Sequence, residues 1–202
     1  MTKDFKQKKG KNWPVYDFCN QFLQTSQELT TATKDLLSRL ASENVRYAEI
    51  RFCPELHTLE SLTSEEAVEA VLHGYRSQET VLGGVVVCAL RSKTKEHGVK
   101  MAKLAGKYLQ RSAADPVGVV GFDIAGDEGS YPLSSPKHSM VAGCEEANEL
   151  GVPTTIHAGE YVTRDKCEVA DNVRFALKLG AKRIGHGIAL KYDEELINEV
   201  IV

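Results

Sequence analysis

The chain has 202 residues, 42% of them hydrophobic and 26% charged, with a net charge of −3. That balance supports one substantial buried core rather than a disordered chain, and its scattered lysines and arginines exclude the electrostatic footprint of a nucleic-acid or anionic-lipid binder. Five widely spaced cysteines without a C-x-x-C pair argue against a disulfide framework or a thiolate zinc site and predict a reducing, cytoplasmic setting; no apolar run is long enough for a membrane span.

The basic cluster from Lys3 to Lys11 makes residues 1–13 a flexible N-terminal segment ahead of a single domain over 14–202. The first predicted strand is Val45–Phe52. Alternation puts Tyr47, Glu49 and Arg51 on one of its faces and Ala48, Ile50 and Phe52 on the other. If the apolar face meets helices, Glu49 and Arg51 point inward, either as a structural ion pair or as support for a polar site. Thr63-Ser64-Glu65-Glu66 has the form of a capping box and predicts a helix through Ala67, Val68, Val71 and Leu72. Strands follow at Gly84–Leu90 and Val117–Ile124. Ser135-Pro136 predicts a helix start, with the helix running to about Leu150 and stopping at Gly151. A strand at Val152–Ile156, a helix over Asp171–Leu179 stopped by Gly180, and a strand at Arg183–Leu190 complete the order. Strands alternating with helices predict an α/β domain built on a parallel sheet with right-handed crossovers. An open doubly wound sheet and a closed (β/α)8 TIM-type barrel both accommodate five such units. Chemically capable residues end several consecutive strands, which favours the barrel, since an open sheet gathers them at one switch point.

His157 at a strand end suits a metal ligand, because a strand fixes the ring. Glu160, just past that strand, suits a general acid, and His186 on the next strand suits the handling of an attacking water. Gly159, Gly185 and Gly187 allow close backbone approach. His57, His73, His97 and His138 read as surface or packing residues: His73 within a helix, His97 and His138 near helix starts, His57 in a loop.

Taken in order, four segments resemble successive strand motifs of adenosine deaminases: Arg46 to Phe52 followed by Pro54, Gly121 to Glu128, His157 to Glu160, and Arg183 to Gly187. The resemblance runs over essentially the whole chain after its first dozen residues. It implies a (β/α)8 barrel binding one zinc, with His157 as a ligand. It further implies that Glu160 donates a proton to purine N1, that His186 assists attack of water at C6, and that Gly126 contacts the purine through its backbone. Asp123 is implied in the polar network beneath the substrate. The implied reaction converts adenosine or 2′-deoxyadenosine to the inosine compound plus ammonia in purine metabolism, with a small-molecule nucleoside as partner and neither nucleic acid nor membrane involved. The family's first-strand H-x-H pair and last-strand paired aspartates have no counterpart, so three zinc ligands are missing and only about five of the eight units are present, the second through the sixth. The expectation is a fragment of a longer enzyme that by itself binds no zinc, is inactive and folds poorly. Alternatives are a deaminase of AMP or adenine, and a non-catalytic paralogue that pairs with another subunit.

Overall fold

The computed structural model describes residues 13–112, 114, 116–133, 140–160 and 166–201. The expected N-terminal basic segment, Trp13 apart, and the expected helix start at Ser135-Pro136, with His138, lie outside the described residues.

Helices α1 (Trp13–Asn20) and α2 (Ser26–Ser42) come first. Then follow β1 (Tyr47–Phe52), a 3-10 turn (Pro54–His57), α3 (Ser64–Arg76), β2 (Leu82–Leu90), α4 (Lys95–Lys107) and β3 (Val119–Ala125). The chain continues through α5 (Val141–Glu149), β4 (Thr154–Ala158), α6 (Lys166–Lys178), β5 (Arg183–His186), a second 3-10 turn (Ile188–Tyr192) and α7 (Glu194–Ile201). The Thr63–Glu66 capping box opens α3 as expected, and Thr25 with Glu28 makes the same reciprocal cap on α2. Sequence reading overlooked that second cap, and with it α2.

Three helices end alike. Asn44, Gly151 and Gly180 adopt left-handed backbone just past α2, α5 and α6. The next amide in each case reaches back to a carbonyl five residues earlier: Val45 to Leu40, Val152 to Ala147, Ala181 to Ala176. This closure satisfies carbonyls that would otherwise be orphaned and aims the chain into the following strand.

All five strands are parallel and lie in sequence order, β1-β2-β3-β4-β5. A doubly wound sheet would reverse its order at a switch point; none occurs, so the strands form the half-barrel of a TIM-type fold with β1 and β5 as its edges. The last strand is shorter than expected. It stops at His186 instead of Leu190, because left-handed backbone at His186 (φ 70°) and Gly187 (φ 63°) cannot continue a strand.

One face of the sheet is apolar. Val85, Val87, Phe122, Ile124 and Ile156 are fully buried and cluster with Val71, Met101, Ala105, Cys144 and Val173 from the covering helices. The opposite face carries the polar row, since the register sets Cys88 beside Asp123, Asp123 beside Thr155, and Thr155 beside Arg183. Glu49 and Arg51 lie on this face as alternation predicted. Glu49 pairs with Arg183 at 2.6 Å, spanning from the first strand to the last across the concave side. Among the described residues, no helix is long and apolar enough to cross a membrane.

Candidate active site

Asp123 is the deepest charged group of the concave face, 0% exposed near the end of β3. Its Oδ2 lies 3.0 Å from Arg51 Nε and 2.8 Å from His157 Nδ1, and its Oδ1 accepts the His157 backbone N–H at 3.2 Å. A buried carboxylate survives only with such compensation. The Nδ1 contact is close but lacks hydrogen-bond alignment, so Arg51 and the backbone amide are the better partners. Arg51 also sets Nη1 3.4 Å from His157 Nε2. Of the two inward charges of β1, Glu49 therefore makes an ion pair with Arg183, and Arg51 reaches the strand-end group.

His186 arrives by an unusual route. Its register partner is Ala158, a residue of the helix-covered face, so regular alternation would turn the imidazole away from His157. Left-handed backbone at His186 instead brings the ring to 5.0 Å from the His157 ring, edge on, and its Nε2 to 3.6 Å from Glu160 Oε1. A non-glycine residue held at positive φ stores strain, which the surrounding structure must impose. Gly185, opposite His157 in the register, leaves the neighbouring ring its space; a Cβ there would come within 3.3 Å of three His157 atoms. His157, Glu160, His186 and Asp123 thus form one group.

Two more ions enter this group, and sequence reading passed over both. Glu128, 2% exposed, accepts the N–H groups of Gly159 and Glu160 at 2.8 Å each. Arg91, also 2% exposed, donates through Nη2 to the His157 carbonyl and through Nη1 to the Tyr131 carbonyl at 3.2 Å. Burial lowers the Arg91 pKa, while Glu128, Asp123 and Glu160 oppose that shift. Glu128 stood inside the quoted Gly121 to Glu128 motif, where its acidity beside a strand end was the available signal. Arg91 had no signal beyond its place just after a strand. Gly126 packs over Arg91, with backbone at φ 117°; a Cβ there would find ordinary space, so conformation rather than crowding selects glycine.

Cys88 Sγ sits 4.0 Å from Asp123 Oδ2. Burial, then the adjacent carboxylate, pushes its thiol pKa well above the ordinary value, which favours the protonated thiol. His57 is buried on the 3-10 turn, not in a loop, with Nδ1 2.8 Å from the Leu23 carbonyl. His97 is buried and His73 exposed, both away from the site as expected.

Two imidazoles and a carboxylate have the right chemistry for a divalent metal. Their arrangement does not hold one: among the described residues no group of three His, Cys, Asp or Glu side chains converges as a ligand set. A guanidinium also stands 3.4 Å from His157 Nε2, the nitrogen left for coordination. Zinc normally requires three or more protein ligands, so these residues alone do not fit it.

The adenosine deaminase family model matches residues 6–201. An adenosine deaminase from Enterococcus faecalis is 37% identical over 185 residues, covering 90% of this chain and 50% of the relative. The solved adenine deaminase of Arthrobacter aurescens shares 25% identity with a TM-score of 0.75, covering 93% of this chain and 53% of that one. An amidohydrolase from Burkholderia ambifaria, solved with bound zinc, superposes with a TM-score of 0.77 at 22% identity, covering 93% of this chain and 49% of that one, and shows the shared fold. The chain spans about half the length of the curated relatives it matches. On the family match over residues 6–201, the chain belongs to the adenosine deaminase family.

Proposed function

We propose that the strand-end group belongs to a site for zinc-dependent hydrolytic deamination of adenosine and 2′-deoxyadenosine in purine metabolism, in the cytoplasm. In this reading Glu160 gives a proton to purine N1, drawing electron density from C6. His186 takes one proton of the attacking water as the C6–O bond forms and passes it to the amino group, so that the C6–N bond breaks with release of ammonia, while the remaining hydroxyl proton returns to Glu160 as the C6 carbonyl forms. Gly126 meets the purine through its backbone, and Asp123, neutralised by Arg51, anchors the polar floor. His157 is one zinc ligand, and the remaining ligands come from outside the described residues. The observation that carries the reading is the meeting of Glu160 and His186 at 3.6 Å beside His157. Free thiols at Cys19, Cys53, Cys88 and Cys144 support a reducing compartment. The 25% identity to an adenine deaminase favours adenine as the second substrate reading.

The test joins residues 14–201 to the half of the Enterococcus faecalis relative that this chain does not span, and follows ammonia release from adenosine, 2′-deoxyadenosine, adenine and AMP. The zinc-loaded hybrid is expected to prefer the two nucleosides, and Glu160→Gln to cut turnover by about 10²-fold or more, the contribution of a general acid. A folded, zinc-loaded hybrid inert towards adenosine sinks the reading. The 202-residue chain alone is expected to hold far less than equimolar zinc and to release no ammonia; stoichiometric zinc with turnover would overturn that part.

A further inference from the structure

We propose that Arg91 and Glu128 are positioning residues, a buried ionic clamp that fixes the backbone of residues 157–160 and so the direction of the Glu160 carboxyl group. The inference deepens the deaminase reading and, for the role it gives Glu160, rests on it. Past Ala158 the β4 ladder ends, and the next polar backbone groups need partners from elsewhere. Five of them find one. The His157 carbonyl takes Arg91, and the Gly159 and Glu160 amides share the two oxygens of Glu128. The Ala158 and Gly159 carbonyls accept from Gly187 and Ala189 at 3.0 and 3.2 Å. Gly159 itself is wedged at φ 70°, where an added Cβ would lie 2.9 Å from Val173 and 3.1 Å from Ala189. The turn is left one conformation.

Both ions act through the backbone, so they position Glu160 without meeting the reacting atoms. The bonds they make to this turn go to its backbone groups, so each ion fixes the path of the chain. A carboxylate is required by the geometry: two adjacent N–H groups face it at equal distance, and an amide in its place offers one oxygen and presents its own N–H to the other.

The experiment uses the isotope-labelled hybrid of residues 14–201 with the remaining half of the relative, and needs no substrate. Glu128→Gln is expected to speed exchange of the Gly159 and Glu160 amides by about 10-fold or more, the worth of a hydrogen bond to a charged group. The Phe122 and Ile156 amides within the sheet keep their rates. The Glu160 α–β proton couplings are expected to move from one rotamer towards averaging, and the nuclear Overhauser contact between Glu160 and the His186 ring to weaken. Glu128→Asp keeps the charge but is a methylene short, so it recovers one of the two amides at most. Full recovery in Glu128→Asp, or unchanged exchange and couplings in Glu128→Gln, overturns the clamp in favour of simple charge balance. If Glu128→Gln does not fold, Glu128→Asp carries the test: faster exchange of at least one of the Gly159 and Glu160 amides is expected, and full protection of both overturns the clamp. Adenosine titration of the zinc-loaded hybrid is a separate arm: a rigid Glu160 with no shift of its resonances by adenosine counts against the deaminase reading and leaves the clamp standing.

Discussion

A buried imidazole that donates at one nitrogen and accepts at the other cannot take a second proton without losing a bond, and His97 is held in that way. Its Nε2 accepts the Leu90 N–H at 3.0 Å, which leaves Nδ1 to donate to Glu55 Oε2 at 2.6 Å. Burial lowers its pKa despite the opposing pull of Glu55, with Lys93 and Lys100 adding to the decrease; burial also lowers that of His57. The unfolded imidazoles protonate below about 6.5, the folded ones only at lower pH. In that window the unfolded state binds more protons, so the stabilisation is complete above the unfolded pKa and is lost as pH falls through and below it. Glu49 and Glu55, whose pKa values are lowered from 4.5, act further down the scale. The urea midpoint is expected to drop between pH 7.5 and 5.5, and His97→Ala to cost about 1–3 kcal/mol at pH 7.5 while flattening the pH dependence, because it strands the Leu90 amide and leaves Glu55 with Lys100 alone. A midpoint flat across that range in the wild type would refute this account. Residue identity announced the candidate site at His157, Glu160 and His186, but not their partners. Arg91 and Glu128 are separated in sequence from the backbone groups they hold, and no local pattern marks such a pairing.

At the scale of elements, local chemistry governs starts and stops. Thr63 caps the Glu66 amide while the Glu66 carboxylate returns to the Thr63 amide at 2.8 Å. Thr63→Ala is expected to lower stability by about 1 kcal/mol, read as a shift in the urea midpoint with unchanged slope. No shift would mean that packing of α3 against α2 and β2 alone holds the helix. Strand positions were legible because a parallel sheet buried by helices demands apolar, β-branched runs, and four of the five lie within two residues of the expected bounds. The exception is β5. Arg183 to Leu190 keeps an apolar, strand-like composition, yet the left-handed pair His186 and Gly187 breaks it and directs the imidazole to Glu160. The local sequence offered the glycine, and the tertiary setting imposed the conformation on the histidine. Among the described helices, α1 and α7 escaped the sequence reading along with α2, and α4 entered it only as a helix start near His97. α2 and α4 nonetheless bury Leu29, Leu37, Met101 and Ala105 in the core, contacts that depend on how distant segments meet.

The whole molecule presents an unclosed sheet. β1 and β5 are edges, Tyr47 and Leu82 are 59% and 68% exposed near the start of the sheet, and Val15, Phe18 and Phe22, on and just after α1, expose more than half their surface. Free parallel edges and apolar surface of this kind promote association. Sedimentation at micromolar concentrations is expected to show assemblies heavier than the 22.2 kDa protomer, growing with concentration. A monodisperse monomer over that range would show that the Glu49–Arg183 pair and the surface charges suffice to hold the half-barrel open in water. By itself the sequence determined the alternation of strands and helices, the polar face of β1, and the family, because each depends on local propensity or on motifs that carry their chemistry within a few residues. Only the tertiary structure decided that the strands follow one another without a switch point, that Asp123 is neutralised by Arg51, and that Arg91 and Glu128 grip the turn bearing Glu160. These are contacts between segments tens of residues apart, and burial rather than sequence proximity gives them their strength.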